Sequence, residues 1–166
     1  MTTPTAKTKD FPRYVVDPEV AAAVGATTAY AFDDEAGYYA DLRASRWGIT
    51  TRRAGWDCMR HYEIVANGAV PCFRDLTSKE PSCAPPGLIP EHYCLAYSDL
   101  ADLEHQIQAI DERTYAALQR EALAWARANT TRRRAEQILA LASVTPTPSA
   151  PRPHDENVPP PLRQPA

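Results

Sequence analysis

No run of about 18 apolar residues occurs in this chain of 166 residues, and its N-terminus carries no apolar signal core. A membrane-spanning helix and a secretory leader are therefore not expected, and the default is a soluble cytoplasmic protein. Positive charge is also in short supply. Eighteen Lys and Arg stand against 21 Asp and Glu, for a net charge of −3 and a pI near 5.8. That balance argues against a general binder of nucleic acid or of anionic membranes. The one basic cluster, Arg132–Arg134, is short, lies at a helix start and reads as a solvated face. The cysteines at 58, 72, 83 and 94 include no CxxC pair, so free thiols are expected rather than disulfides. Cys72, Cys83, His92 and Cys94 lack the closely spaced pairs of structural zinc sites. A P-loop and a nucleophile elbow are absent too, which removes the usual signatures of a stand-alone hydrolase.

What is present divides the chain into three. Residues 1–13 are polar and are expected to be flexible. Eight of the 16 prolines fall between Pro146 and Pro165, in a segment with almost no large apolar residues. Such a segment cannot bury enough surface to offset its ordering entropy, so 144–166 is expected to be a disordered tail. Residues 14–143 remain as one domain with a modest core.

Within that domain, 14–32 is ambiguous between strand and helix. Tyr38, Tyr39 and Leu42 fall at helical spacing, which predicts an amphipathic helix over 35–46. Trp47–Thr50 reads as a buried strand, followed by a polar loop at 51–55 and a helix from about Trp56 or Asp57 to Ala66, with Asp57 a suitable cap. Asn67-Gly68 is a good helix stop, because both residues tolerate the left-handed conformation. Residues 69–73 read as a second strand, where Pro71 suggests a strand end or a bulge. Residues 74–91 are a Pro-rich loop and 93–97 a third strand. Three helices follow, the first opened by Ser98, Asp99 and Asp102. Strands alternating with helices, without hairpin turns, predict an α/β fold with a small doubly wound, mostly parallel sheet and C-terminal helices.

The 51–55 loop then lies at the carboxyl end of the sheet, where α/β folds place ligands. The following helix start points free N–H groups into the same space. Arg52 and Arg53 add bidentate donors, and Gly55 lets a ligand approach the backbone. Together these are the parts of a phosphate site. Arg60, Glu63 and Asn67 share one helix face. In one reading Arg60 and Glu63 are only a surface pair; in the other they hold a phosphate and a sugar hydroxyl. His61 is a candidate general acid or base, but with no acidic or nucleophilic partner evident it reads as structural.

The stretch "YYADLRASRWGIT" with "GWDCMRHYEIVANGAVPCF" resembles the donor-binding half of GT-B glycosyltransferases, closest to exostosin-like and related family 1-type enzymes. The matching positions are Tyr38 or Tyr39, Leu42, Ser45, Gly48 and Gly55, then Arg60, Glu63, Ala66, Gly68 and Pro71, and the likeness runs over residues 35–142. It implies a Rossmann-like half of a GT-B fold that binds a nucleotide-diphosphate sugar. Glu63 would contact a sugar or ribose hydroxyl, and Arg53 and Arg60, with Arg52 less directly, would face the diphosphate. Gly55, Asn67 and Gly68 would shape the backbone. No metal is expected, since GT-B enzymes neutralise the leaving nucleotide with basic groups and helix dipoles and this chain has no Asp-x-Asp motif. The acceptor, whether glycan, lipid or protein, is not specified. The resemblance covers one of the two halves of a GT-B enzyme, so a second half or a homo-oligomer is the implied partner. The alternative is a non-catalytic interaction module that retains a degenerate half-fold.

Overall fold

The computed structural model describes residues 6–85 and 87–142. The proposed tail at 144–166 lies outside the described residues. The chain divides into two compact units, one ending at Thr130 and one beginning at Thr131.

The first unit is α/β. Its elements in order are α1 (Pro18–Val24), α2 (Glu35–Ala44), β1 (Trp47–Thr50), α3 (Met59–Ala66), β2 (Val70–Arg74), β3 (Leu95–Tyr97), α4 (Leu100–Ala109) and α5 (Glu112–Ala128). A single 3-10 turn, Leu76–Ser78, follows β2. The three strands form one parallel sheet in the order β1-β2-β3, with Trp47 beside Val70 and Cys72 beside Leu95. Side chains alternate between the two faces of each strand. Trp47, Ile49, Val70, Cys72, Leu95 and Tyr97 point to one face, where Val20 and Ala21 of α1 and Leu103 of α4 cover them. On the other, Phe73 packs with Val65 of α3 and with Ala122, Trp125 and Ala126 of α5. Helices on both faces make this the small doubly wound, Rossmann-like arrangement read from the sequence.

Two devices lock α3 onto the sheet. The helix ends in a Schellman motif: Gly68 N–H donates to Val65 O at 2.9 Å and Ala69 N–H to Ile64 O at 3.1 Å. Only Gly68 is left-handed, with φ +75°, whereas Asn67 stays at −92° as the C-cap. At the other contact, a Cβ on Gly48 of β1 would lie 2.4 Å from Ile64 Cγ2, so helix and strand approach as closely as the missing side chain allows. Gly48→Ala is expected to destabilise the fold by about 1–3 kcal/mol through overpacking. Chemical denaturation with an unchanged m-value would show it.

Several local expectations need correction. The ambiguous 14–32 stretch contains α1, capped by Asp17, with residues 13–15 paired to Thr27. The segment 7–13 makes hydrogen bonds to distant parts of the fold. Thr8 N–H donates to Ala44 O, Trp47 N–H to Asp10 O, and Lys7 Nζ reaches the C-terminal carbonyls of α2 and α3 at Arg43 and Asn67. Burial brings the Lys7 amine down to about 8. Polar side chains concealed the fact that this backbone runs along the sheet edge. Pro71 is neither a strand end nor a bulge; it is paired with Gly48 in the central strand. Val70 N–H turns toward β1, so the next nitrogen faces the β3 side, where the ladder begins only at Cys72. Proline therefore displaces no ladder hydrogen bond.

The second unit contains α6 (Thr131–Ala142), none of whose residues is buried. Among the described residues no helix is long and apolar enough to cross a membrane.

Candidate functional site

The loop between β1 and α3 is built around His61. This side chain is fully buried. Its Nε2 lies 2.8 Å from Trp56 O, which only accepts, so Nε2 carries the proton and Nδ1 accepts from the Thr50 hydroxyl at 2.9 Å. Burial lowers the imidazole pKa, with the Trp56 carbonyl and the Asp57 charge opposing it. A neutral ring with both nitrogens engaged is a strut between strand and loop. It is not poised for acid–base work.

Helix α3 starts at Met59, later than expected. The N-cap is Cys58 with no side-chain cap, so Asp57 does not fill the role expected of it. Cys58 is extended, with φ −154° and ψ 157°, and the Asp57 carboxylate accepts from the Tyr62 hydroxyl at 3.0 Å. The first-turn N–H groups of α3 are left without a side-chain cap.

Beside this helix start lies a cleft of about 340 Å³. Arg53 from the loop, Cys58 and Met59 at the helix start, and Arg60 and Glu63 in the first and second turns of α3 form one wall. Tyr14, Tyr30, Glu35 and Tyr38 form the other. Arg60 and Glu63 are not a surface pair. Glu63 Oε2 accepts from the Tyr38 hydroxyl at 3.3 Å, and burial followed by the Glu63 charge pushes that phenol well above its usual range. The Arg60 guanidinium lies 5.8 Å from the Tyr14 ring centroid, and its Nη1 is buried without a hydrogen-bond partner. Orphaned buried donors are rare, because each forfeits its bonds to water.

The remaining sequence candidates go elsewhere. Arg52 stacks over Trp56 and, with Gly55, lines a separate cleft of about 690 Å³ between the loops after β1 and β2. A Cβ on Gly55 would meet nothing within 4 Å, so no steric need for glycine exists there. Asn67 and Gly68 lie at the far end of α3. Asn67 accepts from Arg43 at 3.1 Å and Gly68 O accepts from Gln119 at 2.6 Å, so both shape the helix end and neither lines the cleft. The structure thus brings together Arg53, Arg60 and Glu63, and separates Arg52, Gly55, Asn67 and Gly68 from them.

Sequence reasoning missed Tyr14, Tyr30 and Glu35, which come from outside the strand–loop–helix unit. It also missed the buried Asp17, which accepts from Arg74 Nη1 and the Tyr97 hydroxyl, each at 2.8 Å, and ties α1 to the carboxyl ends of β2 and β3. All four cysteines are free. Among the described residues no three His, Cys, Asp or Glu side chains converge as a metal site requires. Comparison of the chain with protein-family models, with curated proteins and with solved structures gave no match.

Proposed function

We propose that this chain is the donor-binding part of a GT-B glycosyltransferase, holding a nucleotide-diphosphate sugar for transfer to a glycan, lipid or protein acceptor. The observation that carries the reading is the unpartnered Arg60 Nη1 in a cleft shared with Arg53 and Glu63, beside an uncapped helix start. Two guanidinium groups and a helix N-terminus suit a diphosphate, whose negative charge grows as the sugar leaves. Glu63, which accepts from the Tyr38 hydroxyl, is the carboxylate suited to accept from a ligand hydroxyl. In GT-B enzymes the reaction takes place between two such halves, so the reading also implies a second half or a second copy facing this cleft.

Uridine and guanosine diphosphate sugars and the free diphosphates are the probes. At 100 times Kd, a ligand that binds only the folded state adds about 2.7 kcal/mol, a melting shift on the order of 10 °C. Glu63→Ala is expected to weaken the sugar nucleotides while sparing inorganic pyrophosphate. No shift with any member of the panel would defeat the reading.

The second reading, a non-catalytic module, is favoured by α6. Its Ile138 and Leu141 are 65 % and 76 % exposed, the kind of apolar surface that association covers. Sedimentation of an oligomer, together with no ligand shift, would select it.

A further inference from the structure

Three tyrosines line the Arg60 cleft, and they differ in exposure. Tyr38 is buried and Tyr14 half-buried, but Tyr30 is 54 % exposed. Tyr30 belongs to the loop between α1 and α2, which is tied on both sides of it. Upstream, Thr27 exchanges backbone hydrogen bonds with Arg13 and Val15. Downstream, Arg13 Nη2 donates to Ala31 O at 3.0 Å and its guanidinium covers the Phe32 ring. The ring itself is wedged by Tyr14, Phe32 and Tyr38, with centroids 5.5–5.8 Å away and interplanar angles of 60–79°. None of the three lies parallel to it. An aromatic side chain is thus held in place at the rim of the cleft with no face-to-face stacking partner among the described residues.

We propose that Tyr30 is the stacking platform for the base of a nucleoside diphosphate whose phosphates Arg53 and Arg60 hold. The inference rests on the donor-site reading above and adds to it the element that reads the base. The chemistry follows from what shares the cleft. Arg53 and Arg60 supply donors for an anion, the carboxylates of Glu35 and Glu63 in the same cleft supply acceptors for hydroxyls, and a fixed, half-exposed ring suits a planar heterocycle. Inorganic pyrophosphate or a sugar 1-phosphate satisfies only the arginine end; a nucleoside diphosphate satisfies both. Because the ring is already immobilised, stacking on it costs little further side-chain entropy.

Isothermal titration of UDP, GDP, inorganic pyrophosphate and glucose 1-phosphate into wild type, Tyr30→Leu and Tyr30→Trp tests this. Tyr30→Leu is expected to weaken UDP or GDP by about tenfold or more, the range measured for base–aromatic stacking, and to leave pyrophosphate unchanged. Tyr30→Trp is expected to restore the nucleotide affinity. Tyr30→Leu leaving UDP and GDP untouched, or weakening pyrophosphate or glucose 1-phosphate equally, would overturn the proposal. Wild type binding pyrophosphate as tightly as UDP and GDP would remove the base platform while sparing the donor site. Binding of none of the four by wild type would remove both.

Discussion

Arg60→Met is expected to weaken nucleotide-sugar binding about 30- to 100-fold while leaving the ligand-free protein as stable as wild type or slightly more so. The two effects have opposite signs for one reason. In the ligand-free fold Arg60 Nη1 is buried without a partner, and such a group costs about 1–3 kcal/mol. Methionine keeps much of the apolar stem against Tyr14 and removes the orphaned donors. The loss of the Tyr14 cation–π contact, about 0.5–1 kcal/mol, partly offsets the gain. With a diphosphate bound, the same donors make charge-assisted hydrogen bonds of about 1.5–3 kcal/mol, which methionine cannot replace. Calorimetric titration and ligand-free thermal melts read the two effects separately. A variant that melts several degrees lower and binds normally would make Arg60 a structural residue.

The largest loss of stability is expected from Asp17→Ala. This carboxylate is only 1 % exposed. It accepts from Arg74 Nη1, from the Tyr97 hydroxyl and, as the cap of α1, from the amides of Glu19 and Val20. Alanine removes every one of these acceptors and leaves Tyr97, itself buried, without its partner. Arg74 keeps Glu19 at 3.1 Å, but leaving the Tyr97 hydroxyl unpaired costs about 1–3 kcal/mol and losing the α1 cap about 1 kcal/mol more, a large part of the stability of a small domain. Asp17→Asn keeps an acceptor oxygen and is expected to lose less.

The same network sets a pH dependence. Burial on its own would raise the Asp17 pKa, but hydrogen bonds from Tyr97 and Arg74, the Arg74 charge and the Glu19 amide outweigh it, and the carboxyl is held below its ordinary value. The unfolded chain therefore takes up this proton first as pH falls. The stabilisation is fully present above the unfolded pKa of about 4 and is lost as pH drops through the folded pKa below it. Urea midpoints measured from pH 7 to pH 3 are expected to fall steeply below about pH 4 in wild type and more gently in Asp17→Asn. Equal slopes would take Asp17 out of the acid transition.

The core strand–loop–helix unit was legible because its signals are local. The apolar run Trp47–Thr50, the Asn67-Gly68 stop and the second apolar run at 69–73 each depend on neighbours a few residues away, and β1, α3 and β2 lie where those signals put them. The errors have non-local causes. The polar residues 8–10 make backbone hydrogen bonds to residues more than 30 positions away. Pro71 could enter the central strand only because β3 starts one residue later in the ladder.

The candidate site divides in the same way. By itself the sequence determined that two arginines, a helix start and Glu63 share one short unit, since helix periodicity and the strand's direction place them. Tertiary structure alone decided which of them face a common cleft. Packing of α2 against α3 put Tyr38 on Glu63, and the fold of residues 13–32 brought Tyr14 and Tyr30 opposite Arg60, while the twist of the 51–58 loop turned Arg52 and Gly55 into another cleft. Periodicity reports which side of an element a residue occupies. What stands across from it depends on chain segments that meet only when the sheet and its helices have packed.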